Sequence, residues 1–359
     1  MVSGIRPTRR FVVLGVVVLV VVAAVVVGRV LWERSHRGAL QQALDLVPGA
    51  SLRVAFTDWS DVRRLSGIEP TTDPQQVQRL MDKAYDSDLG GVSSISESAA
   101  ALQQHLGFSS GTAVWEAYAQ STQGATMVLR MPDDFDLSRV RDQLSSAGFD
   151  KPADADGVWR GGADLVATLD PTITPELQYI SVLDDQHLIV TSDTASYAAK
   201  AADVAQGDGK SLADEVDTGV LTDPLTDPVA AMVWSRDFAC RDLAMSQAAD
   251  DDQQQAEALV DQAGGVTPMT GLLMALDADR VLHVVEAFES SDQAAENLRP
   301  RARLAVGDAV GRGGTFADDF RLTQSATRGR AVVLQLQPKR ATGFVLSALD
   351  SGPVLFATC

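Results

Sequence analysis

Residues 50–57, ASLRVAFT, and residues 228–235, PVAAMVWS, decide the fold. Each alternates small or polar residues with larger apolar ones, the period-two signature of a β-strand. Each also runs straight into an aspartate and an aromatic, Asp58-Trp59 in the first case and Asp237-Phe238 in the second. Val54, Asp58 and Trp59 therefore correspond to Val233, Asp237 and Phe238 at a constant offset of 179. Aspartate at that position is a helix N-cap, so both strands are expected to feed short helices.

Outward from these strands the two halves match in kind rather than in identity. In the first half, Asp73 before Pro74 marks a helix start, and Ser94 with Glu97 predicts a capping box before a helix ending near Gly107. The second half is expected to hold one long helix over 238–263. Hairpins are predicted at 112–120 with 125–131 and at 270–276 with 280–288, the latter turning at Asp277-Ala278-Asp279. Helices at 137–147 and 292–306 follow, the second shortened or kinked by Pro300. Further hairpins are expected at 179–183 with 187–191 and at 320–324 with 331–337, then closing helices from Asp193 and from Arg340.

This order predicts an α+β protein: an N-terminal transmembrane helix followed by two tandem related α+β domains with mainly antiparallel sheets. The expected divisions are a cytoplasmic tail (1–10), the membrane span (11–32), a juxtamembrane helix or linker (33–48), a first repeat domain (49–206), a linker (207–227) rich in Gly, Asp, Thr and Pro, and a second repeat domain (228–359).

The span rests on an apolar run from Phe11 to Val27, carried on to Trp32, long enough to cross about 30 Å of hydrocarbon at roughly 1.5 Å per residue. A cleaved signal peptide would be shorter and would end in a small-x-small site. Here Ala23 and Ala24 are adjacent and valine dominates through Val27. Arg6, Arg9 and Arg10 before the run are nearly matched by Arg29, Arg34 and Arg37 after it. The short leading tail favours a cytoplasmic N-terminus and extracytoplasmic C-terminal domains.

The whole chain carries a formal charge of −18. The first 37 residues hold six arginines and one glutamate, leaving 24 of the 30 basic and 47 of the 48 acidic residues beyond them. Such a surface disfavours nucleic acid and anionic headgroups. The two cysteines, Cys240 and Cys359, are an even count in an outward-facing protein and are candidates for a disulfide tying the chain end to the second half. The alternative is two unrelated buried thiols.

In these features the chain resembles uncharacterised single-pass extracytoplasmic proteins of actinobacteria, and families of unknown function with tandem α+β repeats. The resemblance implies no catalytic residues.

Motifs that could carry chemistry are few. Residues 107–111, GFSSG, fit the nucleophile elbow G-x-S-x-G, which makes Ser109 a weak nucleophile candidate with Asp184 and His187 as partners. The elbow requires a strand before the serine, whereas a helix is predicted there. Residues 207–211, GDGKS, end like a phosphate-binding loop but have Val204 where its first glycine belongs. Residues 154–157, DADG, resemble part of a calcium loop but have Pro152 at its first ligand position. The four histidines, His36, His105, His187 and His283, have no ligand spacing. Trp59, Trp115, Trp159 and Trp234 read as core.

No catalytic, cofactor or metal residues are therefore assigned. The expectation is a membrane-anchored, non-enzymatic binding or interaction protein of the bacterial cell envelope, contacting the bilayer through residues 11–32 and an envelope protein or ligand through its outer part. The alternatives are an envelope lipid or small-ligand carrier, and a serine hydrolase using Ser109.

Overall fold

A computed structural model describes residues 38–359. The expected tail and membrane span lie outside the described residues, as does the start of the juxtamembrane stretch. Among the described residues no helix is long and apolar enough to cross a membrane. Residues Ala39–Cys359 form one compact unit.

Among the described residues the chain is α+β, built on an antiparallel sheet of eleven strands. These are β1 (Arg53–Asp58), β2 (Trp115–Ser121), β3 (Gly124–Arg130), β4 (Trp159–Arg160), β5 (Tyr179–Leu183), β6 (Leu188–Ser192), β7 (Ala230–Ser235), β8 (Gly271–Leu276), β9 (Leu282–Ala287), β10 (Phe320–Arg328) and β11 (Ala331–Pro338). Their order across the sheet is β10-β11-β9-β8-β7-β1-β2-β3-β6-β5-β4. Outward from the centre, β1-β2-β3-β6-β5 on one side repeats as β7-β8-β9-β11-β10 on the other.

The centre explains why the sheet is continuous. β1 pairs antiparallel with β7, and Val54 lies opposite Val233, the residue that the sequence offset makes its equivalent. The flanking pairs Arg53–Trp234 and Ala55–Met232 exchange under the same offset. An approximate two-fold axis between Val54 and Val233 has this property. The two halves thus share one sheet through their leading strands, leaving neither strand as an open edge.

Because side chains alternate along a strand, the sheet has two apolar faces. One is covered by helices Pro74–Asp86, Ala99–Leu106 and Leu137–Ala147 in the first half and by Asp250–Ala263 and Ser291–Leu304 in the second. The opposite face runs across both halves, from Leu183 and Val190 through Val54 and Val233 to Val285 and Val333. Helices Ala39–Leu44 and Ala195–Gln206 cover it, with Leu212 and Leu221 from two short helices within 207–227. That segment is a packed part of the unit. All four tryptophans named above are buried.

Four elements differ from the sequence reading. Asp58 caps helix Trp59–Ser66, but its counterpart Asp237 caps nothing and lies inside a 3₁₀ turn, Arg236–Phe238. Ser94 caps no helix: its N–H and hydroxyl both donate to Glu116, and the helix starts later, at Ala99. The long helix expected over 238–263 is interrupted. It becomes Ala239–Asp242, a 3₁₀ turn at Met245–Gln247 and Asp250–Ala263. The closing helix expected from Arg340 does not form. Gly343 takes a left-handed φ of 101°, and the N–H groups of Val345 and Ser347, which a helix would use, donate instead to Asp88.

Candidate functional site

In place of that helix, residues 339–359 form a strap across the helix-bearing face of the central strands. Val345, Leu346, Leu349, Val354, Leu355 and Phe356 bury their side chains in one cluster with Ala55, Ala230, Met232 and Trp234. Polar anchors from both halves hold its backbone. Asp88 accepts from Val345 N (2.7 Å), Ser347 N (3.1 Å) and the Ser347 hydroxyl. Arg280, in the turn between β8 and β9, donates to the carbonyls of Gly343 (2.7 Å), Ala341 and Ser87. Arg53 of β1 donates to the Asp350 carbonyl at 2.9 Å. Arg312 donates to the Pro353 carbonyl at 2.9 Å and to those of Ala348 and Ser351.

The break in the predicted long helix is where the strap docks. The Leu243 carbonyl accepts from Val354 N at 3.0 Å, and Met245 N donates to Thr358 Oγ1 at 3.5 Å. A Cβ on Gly352 would stand 2.6 Å from the Asp242 carbonyl oxygen and 2.9 Å from Leu243 Cα, so only glycine allows the approach. The strap ends in the Cys240–Cys359 disulfide, with the two Cα atoms 5.4 Å apart. Sequence reading found this pair from its count but expected a helix where the strap runs.

Beneath the strap end lies a fully buried ion pair. Arg301, on helix Ser291–Leu304, sits 3.6 Å from Glu286 of β9, and both side chains are sealed from solvent. The Arg301 fork donates to the carbonyls of Phe356 (2.8 Å), Thr358 (2.6 Å) and Thr267 (2.8 Å). Neither Glu286 carboxylate oxygen accepts a hydrogen bond, and Arg301 Nε has no partner. Burial therefore raises the Glu286 carboxyl to about 7, against the opposing pull of Arg301, and lowers the guanidinium.

Between the strap end and helix Asp250–Ala263 opens a groove of about 420 Å³. Met245, Ala256, Val260 and Val266 give it apolar surface, Ser246 and Gln253 polar surface, Thr358 and Cys359 its strap-side wall, and the exposed Glu257 and Asp261, one helical turn apart, stand at its edge. No lysine, arginine or histidine lines it.

The other sequence candidates fall elsewhere. Ser109 is fully buried; its hydroxyl donates to Gln103 Oε1 (2.8 Å) and accepts from Gly111 N (3.0 Å). Asp184 is engaged by Arg141 at 2.9 and 3.0 Å, and His187 occupies a turn with φ of 51°. The three residues of the hydrolase alternative make no hydrogen bonds with one another. Ser211 caps the short helix Leu212–Glu215, and Asp156 accepts from Gln206 at 3.2 Å, so both glycine-rich loops act as turns and caps. His283 pairs with Asp277 at 2.9 Å within its own hairpin. Among the described residues no three His, Cys, Asp or Glu side chains are grouped to hold a metal ion.

No protein-family model and no curated protein sequence matches the chain. Among solved structures, TP0453 is similar in two crystal forms. Form I aligns with a TM-score of 0.38 and 6% identity over 83% of this chain and 93% of TP0453. Form III aligns with a TM-score of 0.40 and 8% identity over 85% and 96%. Likeness at this level carries no argument about function.

Proposed function

We propose that this chain is a membrane-anchored, extracytoplasmic, non-enzymatic binding module of a bacterial cell envelope, held to the bilayer by residues 11–32. The Cys240–Cys359 disulfide carries this reading. Disulfides persist in oxidising compartments, and this one locks the strap on which the central cluster is closed. The acidic character of the outer part supports an envelope protein or small ligand, rather than nucleic acid, as the partner. We further take the matched strand orders as the mark of a duplicated α+β unit whose copies fused into one sheet.

A second reading, an envelope lipid or small-ligand carrier, is favoured by the groove beside the strap end.

The test is protease accessibility of residues 38–359 in intact spheroplasts, paired with thiol labelling before and after reduction. Digestion, with labelling only after reductant, is the expected result. Protection with freely labelled thiols overturns the topology and the compartment together. Turnover of an envelope polymer or ester by the protein overturns the non-enzymatic part alone.

A further inference from the structure

The strap is held in two stretches by different means. Up to Pro353 its backbone is fixed from both halves, by Asp88, Arg280, Arg53 and Arg312. Beyond Pro353 the body holds it through the Arg301 fork on the Phe356 and Thr358 carbonyls, the backbone of Leu243 and Met245, and the Cys240–Cys359 bond. Val354, Leu355 and Phe356 are fully buried, which favours a closed strap end. Against this stands the pair they cover. Neither Glu286 oxygen accepts a hydrogen bond and Arg301 Nε has no partner, so opening returns poorly satisfied charges to water. The disulfide settles the balance covalently.

The bond can be reached from one side. Cys359 is exposed and forms part of the groove wall. Cys240 is half-buried against the core of the second half, its sulfur 3.6 Å from the Met269 carbonyl oxygen. A thiolate attacks one disulfide sulfur and expels the other, so the exposed member takes the attack and the shielded one leaves.

We infer that the Cys240–Cys359 disulfide is a thiol-exchange site, attacked at Cys359 by a dithiol, and that its reduction lets the strap end, residues 354–359, open from the Glu286–Arg301 pair. The inference goes beyond the binding-module reading and stands on the second half alone. One thiolate of the dithiol forms a mixed disulfide with Cys359, while Cys240 leaves as a thiolate and takes a proton. The second thiol of the reagent, losing its proton, attacks its partner sulfur in that mixed disulfide and expels Cys359, which is protonated in turn. Two electrons pass to the chain, and the dithiol closes to a disulfide.

The experiment uses the full chain in zwitterionic nanodiscs. Dithiothreitol should reduce the bond in the native chain at a rate within about tenfold of that in concentrated urea. Mercaptoethanol, quenched in acid and mapped by peptide mass spectrometry, should form its mixed disulfide on Cys359 at least about tenfold more often than on Cys240. Hydrogen exchange then reads the strap end. In the reduced chain, the amides of residues 354–358 should exchange at least about a hundredfold faster than those of β1, and in the oxidised chain that gap should be at least about tenfold smaller.

Reduction that requires unfolding, adducts shared equally or favouring Cys240, or strap-end amides that exchange at the β1 rate in the reduced chain would each overturn the inference and leave a disulfide that only braces the fold. None of these outcomes bears on topology, compartment or turnover, so this failure is distinct from failure of the binding-module reading.

Discussion

The two halves of the sheet have the same strand order and close themselves by different means. The first half ends in helix Ala195–Gln206, whose Ala201, Ala202 and Ala205 lie flat on the sheet face opposite the main helices. The second half has no such helix and sends its last twenty-one residues, 339–359, to the other face, over the joint between the halves. Their buried glutamates differ in the same way. Glu116 of β2 accepts from Trp59 Nε1 (2.8 Å), Ser93 Oγ (2.9 Å), Ser94 N (2.8 Å) and Ser94 Oγ (3.2 Å). Glu286 of β9 accepts nothing and faces only Arg301. One half is closed by local structure with its buried glutamate satisfied; the other depends on a long-range strap, a buried ion pair and a disulfide.

Breaking the strap clamp should have the largest effect. Arg301→Met removes three bonds to backbone carbonyls and leaves Glu286 without a counterion, at a cost of about 4 kcal/mol in chemical denaturation. No single polar substitution in the first half should match it. A loss under about 1 kcal/mol would mean that apolar burial alone seats the strap. Next comes the disulfide, which closes a separation of 119 residues. Cys240→Ser with Cys359→Ser should cost about 3 kcal/mol, and dithiothreitol should reproduce that loss in the unmodified chain without affecting the double variant.

The same substitution in the two glutamates should act with opposite signs. Burial raises the Glu286 carboxyl from 4.5 to about 7, so between these values the folded chain holds a proton that the unfolded chain releases. Stability from this group is full below pH 4.5 and is lost as pH rises through about 7. Glu286→Gln stays neutral, so it should match the parent at pH 4 and exceed it by about 2 to 3 kcal/mol at pH 8. Burial raises Glu116 as well, but its hydrogen bonds oppose the shift. Glu116→Gln places an amide among groups that all donate, and should cost about 2 kcal/mol at pH 8. Urea titrations of both variants at the two pH values decide the comparison.

The sequence made the repeated half legible and the divergent half opaque, for physical reasons. Val54 and Val233 announce their strands by alternation, and the register confirms the offset, while the aspartate cap forms only at Asp58 and not at Asp237. Helix Leu137–Ala147 and the hairpin strands are local and periodic, so they were readable nearly to the residue. The strap was expected to be a helix from Arg340, and the residues that make it otherwise are distant. Its conformation is fixed by Asp88, Arg280, Arg312 and Arg301, which lie between 36 and 259 residues away from the groups they bind. The break at Met245–Gln247 was hidden likewise, because its residues suit a helix until the strap claims Leu243 and Met245. Of the site, the cysteine count gave the disulfide, while the groove depended on the unread strap.

The smallest effect tests whether the first half's polar interior is structural throughout. Ser109 lies in the loop between helix Ala99–Leu106 and β2, where its hydroxyl donates to Gln103 and accepts from Gly111 N. A Cβ on Gly111 would come within 2.7 Å of the Thr71 carbonyl, so this loop is tightly fitted to its surroundings. Ser109→Ala leaves a buried amide hydrogen and a buried amide oxygen without their partner, and should cost about 1 to 2 kcal/mol with no change in slope against denaturant. A nucleophile poised for chemistry behaves otherwise: its removal is neutral or stabilising, and it abolishes labelling by a fluorophosphonate probe. A neutral Ser109→Ala with loss of label would restore the hydrolase alternative and make the first half, rather than the strap, the place where function resides.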